Sequence, residues 1–243
     1  MNIGVIIPSH GLADKLEKAI DHLLASDTTH EIVLAVVDNA TPDTSVHDVC
    51  RKSTFFDEGM IYVRMPWNTS FARANNFCAM IMGQVDAYLF LNNDCYLEPD
   101  ALHHMVEALK QGKGDIIGAK LYFPDMTIQH AGGEIVGDFD GVCHRHPPNE
   151  TSSCRTSWVT GACMLVRAES FIRCGTFDEG YVNGYEDVDL CLKFRDRGLM
   201  TYYCAEAVGV HEEGQTPGRK DMENENATKF FTKYRPRNAD DYR

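Results

Sequence analysis

Four stretches of the chain gather residues able to do chemistry. In Val36-Val37-Asp38-Asn39-Ala40-Thr41-Pro42-Asp43 an apolar run closes on a carboxylate and then turns. Asp38 there can accept hydrogen bonds from a nucleobase N–H or a ribose hydroxyl, or cap its own turn. In Phe90-Leu91-Asn92-Asn93-Asp94 a strand-like run delivers one aspartate. Mg2+ and Mn2+ are held by one or two protein carboxylates plus phosphate oxygens, so Asp94 meets the minimum, although Asn-Asn-Asp is also ordinary turn composition. Gly184-Tyr185-Glu186-Asp187-Val188-Asp189-Leu190-Cys191 starts a helix whose Val188, Cys191 and Leu192 share an inward face. The helix dipole accounts for one acid at that end but does not require three in four positions. Crowded like charges make a carboxylate a better base, and a positioned base contributes roughly 10²–10⁴ in rate, so Asp187 is the expected base. His211 follows the apolar stretch 207–210, where it is a candidate metal ligand or a satisfied histidine.

These residues need elements to carry them. Apolar, β-branched runs at 3–7, 32–37, 61–63, 88–91, 116–119 and 163–166 read as strands. Helical patterns at 14–24, 71–82 and 99–109 separate them in the first half. The alternation predicts an α/β domain with a mainly parallel central sheet flanked by helices. In such sheets ligands collect beyond the carboxyl ends of the strands, where Ser9-His10, Asp38-Asn39, Asn68 and Asn92-Asn93-Asp94 fall. Residues 137–157 lose periodicity, include His144 and His146, and read as a loop on the acceptor side. The expected division is a domain over 1–214 and a charged, partly helical tail over 215–243 that docks through Phe230, Phe231 and Tyr234 and frays at its end.

At 243 residues and 44% hydrophobic content, one substantial core is expected. No apolar stretch approaches the ~18 residues of a membrane span, and the short run at the N-terminus lacks a preceding basic region, so the reading is a soluble protein, which the cysteine usage places in a reducing, cytoplasmic compartment. Nine scattered cysteines without a CxxC pair suggest neither a disulfide framework nor a zinc site built on them. The net charge of −13 argues against nucleic acid as a partner and implies that a diphosphate ligand would come with a cation.

Taken in order, VIIPSHG, VVDNATPD, NTSFARANN, FLNNDCYLEPD, GAKLYFPDMTIQHAGG, VTGACMLVRAESFIRCGTFDE and YEDVDLCLKFRDRG, closing on a histidine after VGV, resemble family 2 glycosyltransferases. The likeness is strongest to the rhamnosyltransferase-like branch and covers roughly residues 3–214. It implies a GT-A fold, the Rossmann-like fold of nucleotide-diphospho-sugar transferases, and an inverting transfer from a UDP- or dTDP-linked sugar, with rhamnose the sugar of the branch it resembles, to a glycan or glycoconjugate hydroxyl, assisted by Mn2+ or Mg2+. By the resemblance, Pro8, Ser9, His10 and Asp38 line the nucleoside pocket, and Arg73, Asn76, Asn92 and Asn93 lie near the ribose or diphosphate. Asp94 is the metal-binding end of a DXD-like motif, and His211 completes the metal site. Gly161 and Ala162 lie beside the donor sugar, Glu186 contacts sugar or acceptor, and Asp187 is the base. The DXD position here reads Asn92-Asn93-Asp94 and supplies a single carboxylate.

Two other readings compete. A catalytically silent nucleotide-sugar-binding module would follow if one carboxylate holds the metal too weakly. A nucleotidyltransferase shares the layout, but Pro8-Ser9-His10-Gly11 continues as Leu-Ala-Asp-Lys without the basic Gly-rich loop such enzymes carry.

Overall fold

The computed structural model describes residues 1–26, 29–136, 141–143, 151–214 and 222–234. Along the chain lie β1 (Asn2–Ser9), α1 (Ala13–Leu24), β2 (Glu31–Asp38), α2 (Ser45–Lys52), α3 (Thr54–Asp57), β3 (Ile61–Arg64) and α4 (Phe71–Ile81). There follow β4 (Ala87–Leu91), β5 (Cys95–Leu97), α5 (Ala101–Lys110), β6 (Ile116–Tyr122), β7 (Ile128–His130), β8 (Glu134–Val136) and β9 (Gly141–Cys143). The last elements are β10 (Cys154–Arg155), β11 (Cys163–Arg167), α6 (Ala168–Cys174), α7 (Glu186–Arg195), β12 (Thr201–His211) and α8 (Glu223–Tyr234).

The sheet has the parallel core expected of it, with antiparallel strands added to that core. Its order is β10-β12-β6-β11-β4-β1-β2-β3, with β5 on β12 and β7 on β6. Strands β3, β2, β1 and β4 run parallel, as the alternation of strand and helix in the first half requires. Then β11 enters antiparallel between β4 and β6, while β12 returns parallel to β6. The strand patterns of the second half carry no marker of direction, so this reversal was not legible.

Every run predicted as a strand is one. Their continuous apolar character has a simple cause: both sheet faces are covered. Ile3, Val5, Ile7, Leu34, Val36, Leu89 and Leu91 meet α1, α2 and α5 in one buried cluster. Their neighbours Ile6, Ala35, Val37, Tyr88 and Phe90 meet residues of α4, α6, α7 and α8 in the other. Pro99 precedes its helix instead of starting it; Ala101 N donates to Glu98 O in a turn at 3.0 Å. The segment expected to be irregular holds β9 and β10, elements of three and two residues, too short to show a period. His144 and His146 lie outside the described residues, as do 215–221 and 235–243 of the tail.

Helix α8 packs against α7 and the loop before it. Phe230 and Tyr234 are buried, with ring centroids 4.9 Å apart. The Asn226 side chain clasps one residue at both ends, accepting from Val182 N at 3.1 Å and donating to Val182 O at 2.8 Å. Lys229 Nζ reaches Asp178 at 2.8 Å. Burial opposes ionisation of Asp178, but the Lys229 and Gly180 hydrogen bonds and the lysine charges outweigh it and hold its pKa at about 2.

Truncating Phe230 to alanine removes a fully buried ring from this contact. The Phe230→Ala variant is expected to lose about 3–5 kcal/mol of unfolding free energy, read from denaturant titration. A loss below about 1 kcal/mol would mean that α8 adds little to the core.

Candidate active site

The site lies at the edge where the parallel strands end. Ser9 is opposite Asp38 in the β1–β2 register, and β4 ends beside them at Leu91. Because β11 is antiparallel to β4, with Cys163 opposite Leu91, it brings its beginning to the same edge. Thr160, Gly161 and Ala162 therefore join residues that follow the other strands, and Asn92 N donates to Ala162 O at 2.9 Å. Together they bound a cavity of about 380 Å³.

One wall carries a carboxylate and an imidazole. The short strand β5 pairs antiparallel with the end of β12, Cys95 opposite His211, and Glu212 N donates to Asp94 O at 3.1 Å. This register sets Asp94 Oδ1 3.2 Å from His211 Nε2, both side chains being over nine-tenths buried. Gln129, on β7, reads His211 at two points. Its Nε2 donates to the His211 carbonyl at 3.1 Å, which fixes the amide so that Oε1 faces Nδ1 at 2.7 Å. The network thus assigns the ring proton to Nδ1, and Asn92 Nδ2 donates to the remaining lone pair on Nε2 at 3.1 Å. In that tautomer Nε2 and the Asp94 carboxylate are neighbouring acceptors, and a cation between them would replace the Asn92 amide on the nitrogen.

The opposite wall is the start of α7. Asp187 Oδ2 accepts from Gly161 N at 2.9 Å and Oδ1 from Val188 N at 2.8 Å, leaving the half-buried carboxylate oriented along the cavity. A side chain on Gly161 would press on Phe71 at 3.3 Å and on Asp187 Cβ at 3.4 Å, so the close approach favours glycine. Glu186 also lines the cavity and accepts from Gly184 N at 2.6 Å. The turn leading into α7 is strained. Asn183 and Tyr185 have φ of 54° and 71°, a region that costs a bulky L-residue energy. Asn183 Oδ1 accepts from Phe71 N at 3.1 Å, and the Tyr185 ring sits 5.3 Å from that of Phe230, so α4 and α8 both hold the turn.

The third acid of that helix does something else. Asp189 points to the far side of α7, wholly buried, where Lys233 Nζ reaches it at 2.5 Å, Tyr234 OH at 2.9 Å and Lys193 at 3.4 Å. It is a paired charge joining α7 to α8, not a cavity residue.

Of the residues expected at the site, Pro8, Ser9, His10, Asn92, Asn93, Asp94, Gly161, Ala162, Glu186, Asp187 and His211 line this cavity. Asn93 Nδ2 donates to Ser9 Oγ and His10 Nδ1 contacts Asn39 O, which knit the strand ends together. Asp38, Arg73 and Asn76 are not among the lining residues. Asp38 is sealed: it accepts from Tyr62 OH at 2.7 Å, Arg64 Nη1 at 2.8 Å and Thr41 N at 2.8 Å, the last being the turn cap open to it from the start. Burial, and then that hydrogen bond, push the Tyr62 phenol up to about 12. Arg73 pairs with Glu179 at 3.0 Å, and Asn76 binds Phe177 N and O, both on the outer side of α4.

Sequence reasoning assigned no role to Gln129, Thr69, Asn183 or Gly184, and placed Asn39 at the ligand edge only as the neighbour of Asp38. Asn39 and Thr69 exchange two hydrogen bonds, Nδ2 to Thr69 O at 2.7 Å and Thr69 N to Oδ1 at 2.8 Å, which close the cavity floor. Gln129 and Asn39 each stand inside a motif segment, which was the signal available, but their partners lie 82 and 30 residues away.

The chain is similar to known proteins in fold and in sequence. The solved structure of GalNAc-T7 with UDP, GalNAc and Mn2+ superposes with a TM-score of 0.70 at 13% identity, over 87% of this chain and 44% of that one, and shows the shared GT-A fold. O-antigen biosynthesis protein RfbC of Myxococcus xanthus is 29% identical over 96% of this chain and 19% of its own length. Rhamnosyltransferase WbbL of Escherichia coli is 26% identical over 85% of this chain and 82% of its own. The chain thus spans about a fifth to a quarter of the length of two of the relatives it matches. The model described as glycosyl transferase family 2 matches residues 4–174, which hold the strand ends from Pro8 through Ala162 and so most of the cavity wall. With that match over most of its length and the GT-A fold beneath the cavity, the chain belongs to glycosyl transferase family 2.

Proposed function

We propose that this glycosyltransferase moves a sugar from a UDP- or dTDP-linked donor to a hydroxyl of a glycan or glycoconjugate, with inversion at the anomeric carbon. The observation that carries the proposal is that Asp94, His211 and Asp187, from three separate parts of the chain, line one cavity. The names of WbbL and of RfbC support rhamnose as the sugar and a surface polysaccharide as the product class.

The donor set fits a divalent cation. Asp94 offers a hard oxygen and His211 the Nε2 lone pair, 3.2 Å apart; Gln129 orients the ring, and a cation there would take that lone pair over from the Asn92 amide. When bound there, Mn2+ or Mg2+ supplies positive charge against the diphosphate, which the chain, at −13, is poor in providing. Asp187 takes the proton of the acceptor hydroxyl as its oxygen attacks the anomeric carbon, and the bond to the nucleoside diphosphate breaks in the same displacement. A single protein carboxylate serves this route, and inversion follows from one displacement. The Gly161 and Val188 amides fix the direction in which Asp187 presents its oxygens, and Glu186 bounds the sugar side.

Asp187→Asn is expected to keep nucleotide-sugar binding within a few-fold, by calorimetry, while transfer falls by roughly 10²–10⁴. Undiminished turnover would remove Asp187 from the role of base. Asp94→Ala is expected to abolish the Mn2+ dependence of donor binding; donor binding that still responds to Mn2+ would place the cation elsewhere. Gln129→Ala, which frees the ring of His211 to turn or change tautomer, is expected to weaken Mn2+ binding by about 10–100-fold without loss of fold. An unchanged Mn2+ titration would show that Gln129 is only a packing residue.

A further inference from the structure

A second group of metal-ligating side chains lies at the other end of the sheet. His30 stands just before β2, whose first residue, Glu31, is opposite Asn2 at the start of β1, whereas the cavity opens beyond Ser9 and Asp38 at the far ends of the same strands. His103 and Glu107 are four residues apart on α5 and so project from one face of that helix. The inner face of α5 is taken by buried Leu102, Met105, Val106 and Leu109, while His103 and Glu107 sit half-buried at its border. One nitrogen from each histidine and one Glu107 oxygen lie within 4.8 Å of one another. The two imidazole rings are near parallel, 9° apart in plane with centroids at 6.4 Å.

We propose that His30, His103 and Glu107 form a second metal site, for a zinc-class divalent ion, which clasps the entry of β2 to α5. Two imidazoles and a carboxylate are a donor set that zinc takes with water in the fourth position, and the nitrogen donors favour zinc over Mg2+ or Ca2+. Asp94 and His211 offer only one nitrogen, so the two sites differ in the ions they prefer. The Lys110 ammonium lies 2.7 Å from Glu107 Oε1 and competes for that carboxylate. Its positive charge beside the site opposes a cation whichever Glu107 oxygen binds it, so removing the ammonium strengthens the site. Because the three side chains converge only in the folded chain, zinc binding there stabilises the native state.

Zinc is titrated into the full chain by calorimetry and by thermal unfolding, with Mg2+ in excess at the first site. The wild type is expected to bind zinc and to unfold at a higher temperature with it. His103→Gln and Glu107→Gln are each expected to weaken zinc binding by at least roughly tenfold, a loss that even an outer-shell partner of a metal produces, and to keep Mg2+-dependent donor binding. Lys110→Met is expected to tighten zinc binding, a gain that no loss of folding can mimic. Equal zinc affinity and equal thermal gain in the wild type, His103→Gln and Glu107→Gln would overturn the site and assign zinc to cysteines or to Asp94 and His211. Unchanged or weaker binding by Lys110→Met would overturn it as well.

Discussion

The candidate site depends on one short strand pairing. Three residues of β5 lie antiparallel to the end of β12, and that register carries Asp94 to His211 across 117 positions of chain. Neither residue could hold a cation alone. A turn aspartate offers one oxygen and a strand-end histidine one nitrogen, and only backbone hydrogen bonds between β5 and β12 make them a pair. Gln129 extends the same logic, since β7 reaches His211 by pairing with β6, which in turn is parallel to β12. The wall that carries Asp94 and His211 is thus assembled from four strands, with the side chains as its last layer.

The facing wall is held differently. Helix α7 begins after a turn that places Asn183 and Tyr185 in left-handed backbone, a conformation that costs on the order of 1–3 kcal/mol per residue and persists only where surroundings impose it. Those surroundings are α4, through the Phe71 amide, and α8, through Phe230, Asn226 and Lys229. The buried Asp189 with Lys233 and Lys193 adds orientation between α7 and α8 more than net stability, because desolvation of a buried pair offsets much of its attraction. The C-terminal helix thereby holds Asp187 in place without touching the cavity.

The strand ends of the first half were legible for a physical reason. Parallel βα units bury both sheet faces, so strands read as apolar runs, and the polar residues just after them mark the ligand edge. Some polar residues expected there turn from that edge. Asp38 follows its strand as Asp94 does, yet Arg64 and Tyr62 on neighbouring β3 enclose it. Arg73 and Asn76 lie on α4, but the outer turn of that helix faces Phe177 and Glu179. Glu186, Asp187 and Asp189 read alike as a cluster; the 100° step of an α-helix separates them into two cavity residues and one buried anchor.

By its own order of residues the sequence determined the α/β class, the six principal strands, the start of α7 and the family, because periodicity and motif order are local properties of the chain. Tertiary structure alone decided the reversal of β11, the pairing of β5 with β12, the closure of Asp38 and the meeting of His30 with α5. Each of these is a contact between segments distant in sequence. The free energy of such a contact depends on which surfaces remain to be buried once the neighbouring elements have packed, and no local pattern of residues encodes that.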